Sequence, residues 1–254
     1  MSRRLRKQFI YGLLYLSIIA LIAVAVYYTF LRPGPSCTNG RLDPGEEGLD
    51  CGSVCAKVCI PVDLAPLKTV GSVQLFKPAT STIELVAKAQ NSNQGLAAKS
   101  FSYSFDIFDA SGNKVDTIFG DSYMYAGEVK YIAAIKTNVP YDAVRATFGT
   151  GAVSWVKNAD YARPVMSGVL SKQITTTSST VTVQGRIADK DVIGVDNVTV
   201  TALFYGEFGS LLGVSETELG PLAPEEDKQF TILHPAVVGI APQRTDLIIT
   251  VKRP

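Results

Sequence analysis

From about Pro66 onward the chain alternates. Ile83, Leu85, Ala87 and Ala89 form one apolar row, and Phe101, Tyr103, Phe105 and Ile107 form another against Ser102, Ser104 and Asp106. A period of two places successive side chains on opposite faces, so these runs predict half-buried β-strands, bounded by Gly, Asn, Asp and Pro. No stretch after Cys59 sustains a helical period, so helix is expected there only as single turns. Upstream the pattern is different. Phe9 to Leu31 is 23 residues without a charge, running through Leu13, Leu14, Ile18, Ile19, Leu21, Ile22, Val24 and Val26. A helix of that length rises about 34 Å, enough to cross a hydrocarbon layer of about 30 Å. Tyr11 and Tyr15 near one end, and Tyr27 and Tyr28 near the other, suit an interfacial belt. Arg32-Pro33-Gly34-Pro35 is expected to stop the helix, since proline lacks the amide hydrogen and clashes with the preceding turn.

The strand pattern repeats. Phe108-Asp109-Ala110-Ser111-Gly112 returns as Tyr205-Gly206-Glu207-Phe208-Gly209, 97 residues later, and Ala126-Gly127-Glu128 returns as Ala223-Pro224-Glu225 at the same offset. Val181, Val183, Gly185 and Ile187 stand where Ile83, Leu85, Ala87 and Ala89 stood. Each half closes on an alternating strand, Val144-Ala146-Phe148 and Leu247-Ile249-Val251. A duplicated unit of about 95 residues has the size of an immunoglobulin-like sandwich. The expected fold is therefore mainly β: two tandem immunoglobulin-like β-sandwiches after one N-terminal transmembrane α-helix and a small disulfide-rich segment. The boundaries read as a basic tail at 1–8, the transmembrane helix at 9–31, a cysteine-rich juxtamembrane segment at 32–65, a first sandwich at 66–157, a linker at 158–164 and a second sandwich at 165–254.

Charge sets the expected direction of insertion. The formal net charge is +1, but no acidic residue precedes Asp43, while Arg3, Arg4, Arg6, Lys7 and Arg32 lie in the first 32 positions. The other 19 basic residues face 23 acidic ones, a balance of about −4, so the remainder lacks the basic footprint of a nucleic-acid binder. The positive-inside bias keeps the basic start in the cytoplasm and sends the rest to the extracytoplasmic side as a single-pass signal-anchor protein of the cell membrane. A cleaved signal peptide is the rival, because Ala23-Val24-Ala25 has the form of a cleavage site. The apolar run outlasts the usual core of such peptides and continues past that site.

All four cysteines, Cys37, Cys51, Cys55 and Cys59, follow the apolar run within 23 residues. In an exported segment they read as two disulfides, with three pairings open. Zinc through four thiolates is disfavoured by an oxidising compartment. Asp43, Glu46, Glu47 and Asp50 concentrate charge in the loop between the first two cysteines. This loop reads first as a solvated acidic turn. The alternative is a calcium site, with Asn39, Asp43, Glu46 and Asp50 as oxygen donors, although the spacing is not that of an EF-hand.

Two resemblances bear on this architecture. The run from Cys37 through Asn39-Gly40, Asp43, Gly45-Glu46, Gly48 and Asp50-Cys51-Gly52 to Cys55 resembles a small cysteine-rich motif of exported prokaryotic surface proteins. Ser53 stands where that motif has a second glycine, and three residues rather than two precede Cys59. The resemblance implies a surface location and no particular chemistry. Phe105-Asp106-Ile107-Phe108-Asp109, followed by a glycine turn, resembles the FxLYD-type domains and their late-embryogenesis-abundant and fibronectin type III-like relatives. The second copy, Ala202-Leu203-Phe204-Tyr205-Gly206, lacks the aspartate and the first aromatic. This resemblance implies spacer or binding modules over residues 66–254.

Chemistry is sparse. The chain has no Walker loop, dinucleotide fingerprint or metalloprotease helix. His234, the only histidine, has no recognisable nucleophile or orienting acid and reads as a strand-end or partly buried residue. Trp155 reads as core of the first sandwich, with a partner contact as the alternative. Asp121-Ser122-Tyr123-Met124-Tyr125 is expected as an inter-strand loop, and Tyr123, Met124 and Tyr125 are the partner-contact candidates if exposed; the alternative is that they cover the edge of the sandwich. Asn197-Val198-Thr199 is a glycosylation sequon on an expected strand. The expectation is a non-enzymatic surface protein without a cofactor other than calcium. Its partners would be the lipid bilayer and a protein or envelope component, in adhesion, protein binding or envelope assembly. The alternatives are an accessory subunit of a membrane complex acting through its helix, with Ala20, Ala23 and Ala25 for close packing, and an enzyme with an unfamiliar site. A cleft with clustered titratable groups would favour the last.

Overall fold

The computed structural model describes residues 3–31, 36–61 and 63–254. The expected helix stop at Arg32-Pro33-Gly34-Pro35 lies outside them. The chain divides into two compact units, residues 1–59 and 60–254. In the first, α1 spans Arg3–Val26 and continues as a π-helical turn at Tyr27–Leu31. Arg4, Arg6 and Lys7, read as a tail, are already helical. Its stretch Arg6–Thr29 is the one helix among the described residues long and apolar enough to cross a membrane.

The cysteine segment pairs Cys37 with Cys55 and Cys51 with Cys59, one of the three arrangements left open by the sequence. Few large apolar side chains are available here, so the cross-links replace a core. Gly52 has φ 115°, and a Cβ there would lie 2.7 Å from the Glu47 amide nitrogen. Only glycine accepts that turn beside Cys51.

Among the described residues the second unit holds thirteen strands. The first sandwich contains β1 (Lys68–Thr69), β2 (Gln74–Ala79), β3 (Thr82–Gln90), β4 (Leu96–Phe108), β5 (Lys114–Met124), β6 (Val129–Lys136) and β7 (Arg145–Lys157). The second contains β8 (Met166–Thr176), β9 (Thr180–Asp189), β10 (Asn197–Gly206), β11 (Leu211–Glu218), β12 (Asp227–Pro235) and β13 (Ile240–Lys252). β6 runs along one whole side of β3, while β1 and β2 occupy successive stretches of the other. The facing sheet has the order β5-β4-β7, all antiparallel. The second sandwich repeats this plan with β8-β9-β12 and β11-β10-β13. The 97-residue repeat is thus a repeat of topology. Phe101, Phe105 and Ile107 fill the first core against Leu85 and Ile132; Val183, Val200, Phe204 and Ile232 fill the second. Trp155 packs partly buried against the first core.

Asp109, the aspartate of the FxLYD-like run, accepts the amides of Ser111 and Asn113 at 2.9 and 2.8 Å and so closes the β4–β5 turn. These hydrogen bonds to the ionised form, the Asn113 amide foremost, hold its carboxyl below the ordinary aspartate range.

β3 and β10 depart from simple alternation. Both are buried on both faces along most of their length. The reason lies between the sandwiches: Val86 and Ala133, on the outward side of the β3–β6 pair, pack against Leu203 and Val214 of the β10–β11 pair, with Phe76, Tyr131, Tyr205, Leu211 and Ile248 around them. Two sheets, one from each copy, therefore form a shared apolar layer. Strands enclosed in this way read as continuous apolar runs, like those of a fully covered sheet.

Candidate functional site: the cleft between the two sandwiches

Beside that apolar layer the two sandwiches part to leave a cleft of about 280 Å³. One wall comes from the first sandwich. Between Ala98 and Phe101 the register of β4 slips by one residue against both neighbours. Such a bulge re-aims side chains, and here Lys99 and Ser100 reach the cleft. Asp121, Ser122 and Tyr123 of β5 and Lys130 to Ala133 of β6 continue the wall. The other wall is the outward face of the β11-β10-β13 sheet, where Asn197, Thr199, Thr201, Glu216, Glu218, Thr250 and Lys252 present a polar surface.

Lys130 sits deepest, only 6% exposed. Its Nζ donates to the Tyr123 carbonyl at 3.0 Å and lies 3.3 Å from the centre of the Tyr123 ring, a cation–π geometry. Burial pushes its pKa down to about 8, against the upward pull of Glu128 and Glu216. Across the cleft the surrounding walls, then Glu218, push Glu216 up to about 7, while Lys130 and a hydrogen bond with Thr201 oppose them. The Glu216 side chain itself remains exposed along the cleft. Burial raises the Tyr123 phenol far above its ordinary range.

Tyr123, Met124 and Tyr125 do not form the exposed inter-strand loop that the sequence suggested. Tyr123 and Met124 end β5 rather than forming a loop, and Met124 and Tyr125 are buried. Met124 belongs to the first core. The Tyr125 hydroxyl donates to the Val251 carbonyl at 2.9 Å and accepts the Arg253 amide at 3.1 Å. Its ring stacks on Tyr161 at 5.2 Å, drawing the linker into the packing. Only Tyr123, half-buried, borders the cleft. Glu128 braces the same corner, accepting the Tyr125 amide at 2.8 Å and Arg163 at 3.1 Å.

The four calcium-donor candidates spend their oxygens on local donors. Asp50 accepts the amides of Asn39 and Gly40 at 2.9 and 2.8 Å, and Asp43 accepts the Ser36 amide and the Asn39 side chain at 2.9 and 2.7 Å. Glu46 accepts the Asp43 amide, and the Asn39 oxygen accepts the Arg41 amide. Asp43, Glu46 and Asp50 do not converge as a metal cluster. Among the described residues the one group with ligand atoms that close together is Cys37, Glu46 and Cys55. Its two cysteines are joined to each other, so it offers no thiolate.

His234, expected as a strand-end or partly buried residue, is the penultimate residue of β12 and fully buried, with its ring 4.4 Å from that of Phe204. Its partner, Glu84 on β3, carried no sequence signal: a glutamate in an alternating strand reads as solvent-facing.

No family model and no curated protein matches the chain. Among solved structures it is similar to a red sea bream transglutaminase, at 12% identity and a TM-score of 0.23, over 72% of this chain and 29% of that one. It is also similar to a two-domain fibronectin type III segment of chicken tenascin, at 12% identity and a TM-score of 0.21, over 74% of this chain and 93% of that one. The chain thus spans less than a third of the length of the transglutaminase. At these scores neither likeness bears on function.

Proposed function

We propose that this is a non-enzymatic, single-pass surface protein that holds its two-sandwich unit outside the membrane as one recognition body. The observation that carries the reading is the shared apolar layer of Val86, Ala133, Leu203 and Val214, which makes one body of two copies and fixes the walls of the cleft. The apolar Arg6–Thr29 stretch, the basic residues before it and two disulfides just after it support an anchored protein with an extracytoplasmic body. Kinship with FxLYD-type and related modules is proposed on the Phe105–Asp109 run.

Clustered titratable groups in a cleft also suit catalysis. Lys130 and Glu216 would be its acid and base.

The test is topology in intact cells expressing the full chain. Added protease is expected to remove the 60–254 body from outside, and the helix should resist alkaline extraction. A body protected in intact cells, or a mature N-terminus at Val26, overturns the anchored reading. Replacing the helix by an unrelated apolar one should leave function intact; loss of function would point to an accessory subunit acting through that helix.

A further inference from the structure

The cleft has a charge arrangement that the protein does not itself complete. Lys130 and Glu216 face each other from opposite sandwiches, and no ion pair joins them. An ammonium has three hydrogens to donate. That of Lys130 gives one to the Tyr123 carbonyl and rests on the Tyr123 ring. The Glu216 carboxylate takes Thr201 and has further acceptor sites. In the same cleft the Asn197 side-chain oxygen is buried without a protein hydrogen-bond partner. Buried polar atoms in native proteins are nearly always satisfied, so an unpartnered acceptor beside an uncompleted charge pair marks a ligand position.

The sign of the ligand follows. Lys99, Lys130 and Lys252 face Asp121, Glu216 and Glu218 around one lining, three of each sign. An anion alone would meet Glu216, and a cation alone would meet Lys130. An apolar ligand would strand all three polar groups. A molecule bearing both charges satisfies each, and a volume of about 280 Å³ accommodates one the size of a small amino acid.

We infer that the cleft binds a small zwitterion of the α-amino-acid class, its carboxylate on Lys130 and its ammonium between Glu216 and the Asn197 oxygen. The assignment goes beyond the surface role and does not depend on which side of the membrane the body occupies. Binding should be strongest between about pH 7 and pH 8. Below that window Glu216 takes up a proton and stops attracting the ammonium; above it Lys130 loses its charge. The other groups acting on Lys130 are Glu128, Arg163 and Lys252, and those on Glu216 include Glu218. Tyr123 and Tyr103, both raised by burial, stay protonated through the window.

The experiment is calorimetric titration of the full chain in detergent micelles with each common α-amino acid, glycine first, and separately with acetate and with methylammonium. At least one amino acid is expected to bind with a dissociation constant of about 1 mM or tighter, and the two single-charge probes about tenfold or more weaker. Glu216→Gln, isosteric and on an exposed side chain, should weaken binding about tenfold with an unchanged thermal transition. Lys130→Met should weaken binding to a similar degree. Absence of saturable binding by every amino acid overturns the inference. Acetate or methylammonium binding as tightly as the amino acid also overturns it, leaving a simple ion site, as does undiminished affinity in folded Glu216→Gln.

Discussion

Glu84 and His234, 150 residues apart in the chain, meet at 3.1 Å in the seam between the two sandwiches, with both side chains out of solvent. The Glu84 carboxylate also accepts the Val214 amide of β11 at 2.9 Å, and His234 Nδ1 lies 2.6 Å from the Pro235 carbonyl oxygen. One carboxylate from the first copy thus satisfies a backbone amide and a ring nitrogen of the second. Glu84→Ala should destabilise the unit by about 3–5 kcal/mol, since it leaves buried polar groups without a partner. Replacing both members by apolar residues of similar size, Glu84→Met with His234→Phe, should recover the part of that loss due to the histidine, while the Val214 amide stays unpaired. Urea unfolding of the single and double variants checks both; equal losses would remove the pair from the account of the seam.

Gly213 makes that meeting possible. A Cβ there would lie 2.4 Å from His234 Nε2 and 3.3 Å from a Glu84 oxygen. Gly213→Ala should therefore cost about 1–3 kcal/mol as overpacking. The cost should shrink when Glu84 and His234 are both truncated, because the space is then free. A denaturant midpoint for the variant in each background measures the difference.

Lys130 links stability to pH. Its pKa falls from an ordinary 10.5 to about 8 on folding, because burial penalises the ammonium. Between those values the unfolded chain holds more protons at this site, so its contribution to stability rises with pH across the window. Below about pH 8 the penalty is fully present. At about 1.4 kcal/mol per unit it amounts to about 3 kcal/mol. The stability difference between Lys130→Met and the parent should therefore be largest near neutral pH and diminish as pH rises from 8 toward 10. Thermal unfolding of the two proteins in parallel tests this, and a difference that does not change with pH would contradict it.

The cysteine segment should depend on its cross-links. The Cys37–Cys55 bridge closes an interval of 18 residues and Cys51–Cys59 one of 8. Loops of this order confer about 3 kcal/mol through the unfolded state. Replacing Cys37 and Cys55 by serine should open the 37–50 loop to protease under non-reducing conditions. Limited proteolysis followed by mass spectrometry locates the new cuts.

Much of the architecture was legible in the sequence because it is periodic. The alternation at Phe101 to Ile107 marks a strand with one face inward, and the 97-residue offset marks two copies of one topology. What lay between the copies was not legible. Glu84, Thr201 and Leu203 occupy outward positions of alternating strands, where the local pattern predicts solvent; the second sheet that covers them belongs to the other copy. Tyr123, Met124 and Tyr125 show the complementary case: a cluster of aromatics beside Asp121 and Ser122 has the composition of an exposed loop, but Met124 enters the core of its own sandwich and Tyr125 is covered by Tyr161 and the end of β13. Lys130 and Glu216 have no local motif at all, since their environment arises only when β6 and β11 are brought together.

The shared layer uses unlike faces of like copies. Val86 on β3 is buried against the second sandwich, whereas its counterpart on β9, Gln184, is exposed; Leu203 on β10 is buried, whereas its counterpart on β4 is Asp106. A contact between non-equivalent faces is open-ended in principle: copy after copy could be added, and the result would be a filament. The central rows of both outer faces are polar, Ser102, Ser104 and Asp106 on one and Thr182, Gln184 and Arg186 on the other, as polar caps end a solenoid. Phe119 beside Ser104 and Leu233 beside Thr182 nevertheless stand exposed among them. The duplication therefore uses one face of each copy and leaves a mostly polar face at either end, and substitutions that made those end rows apolar would be a route to polymerisation.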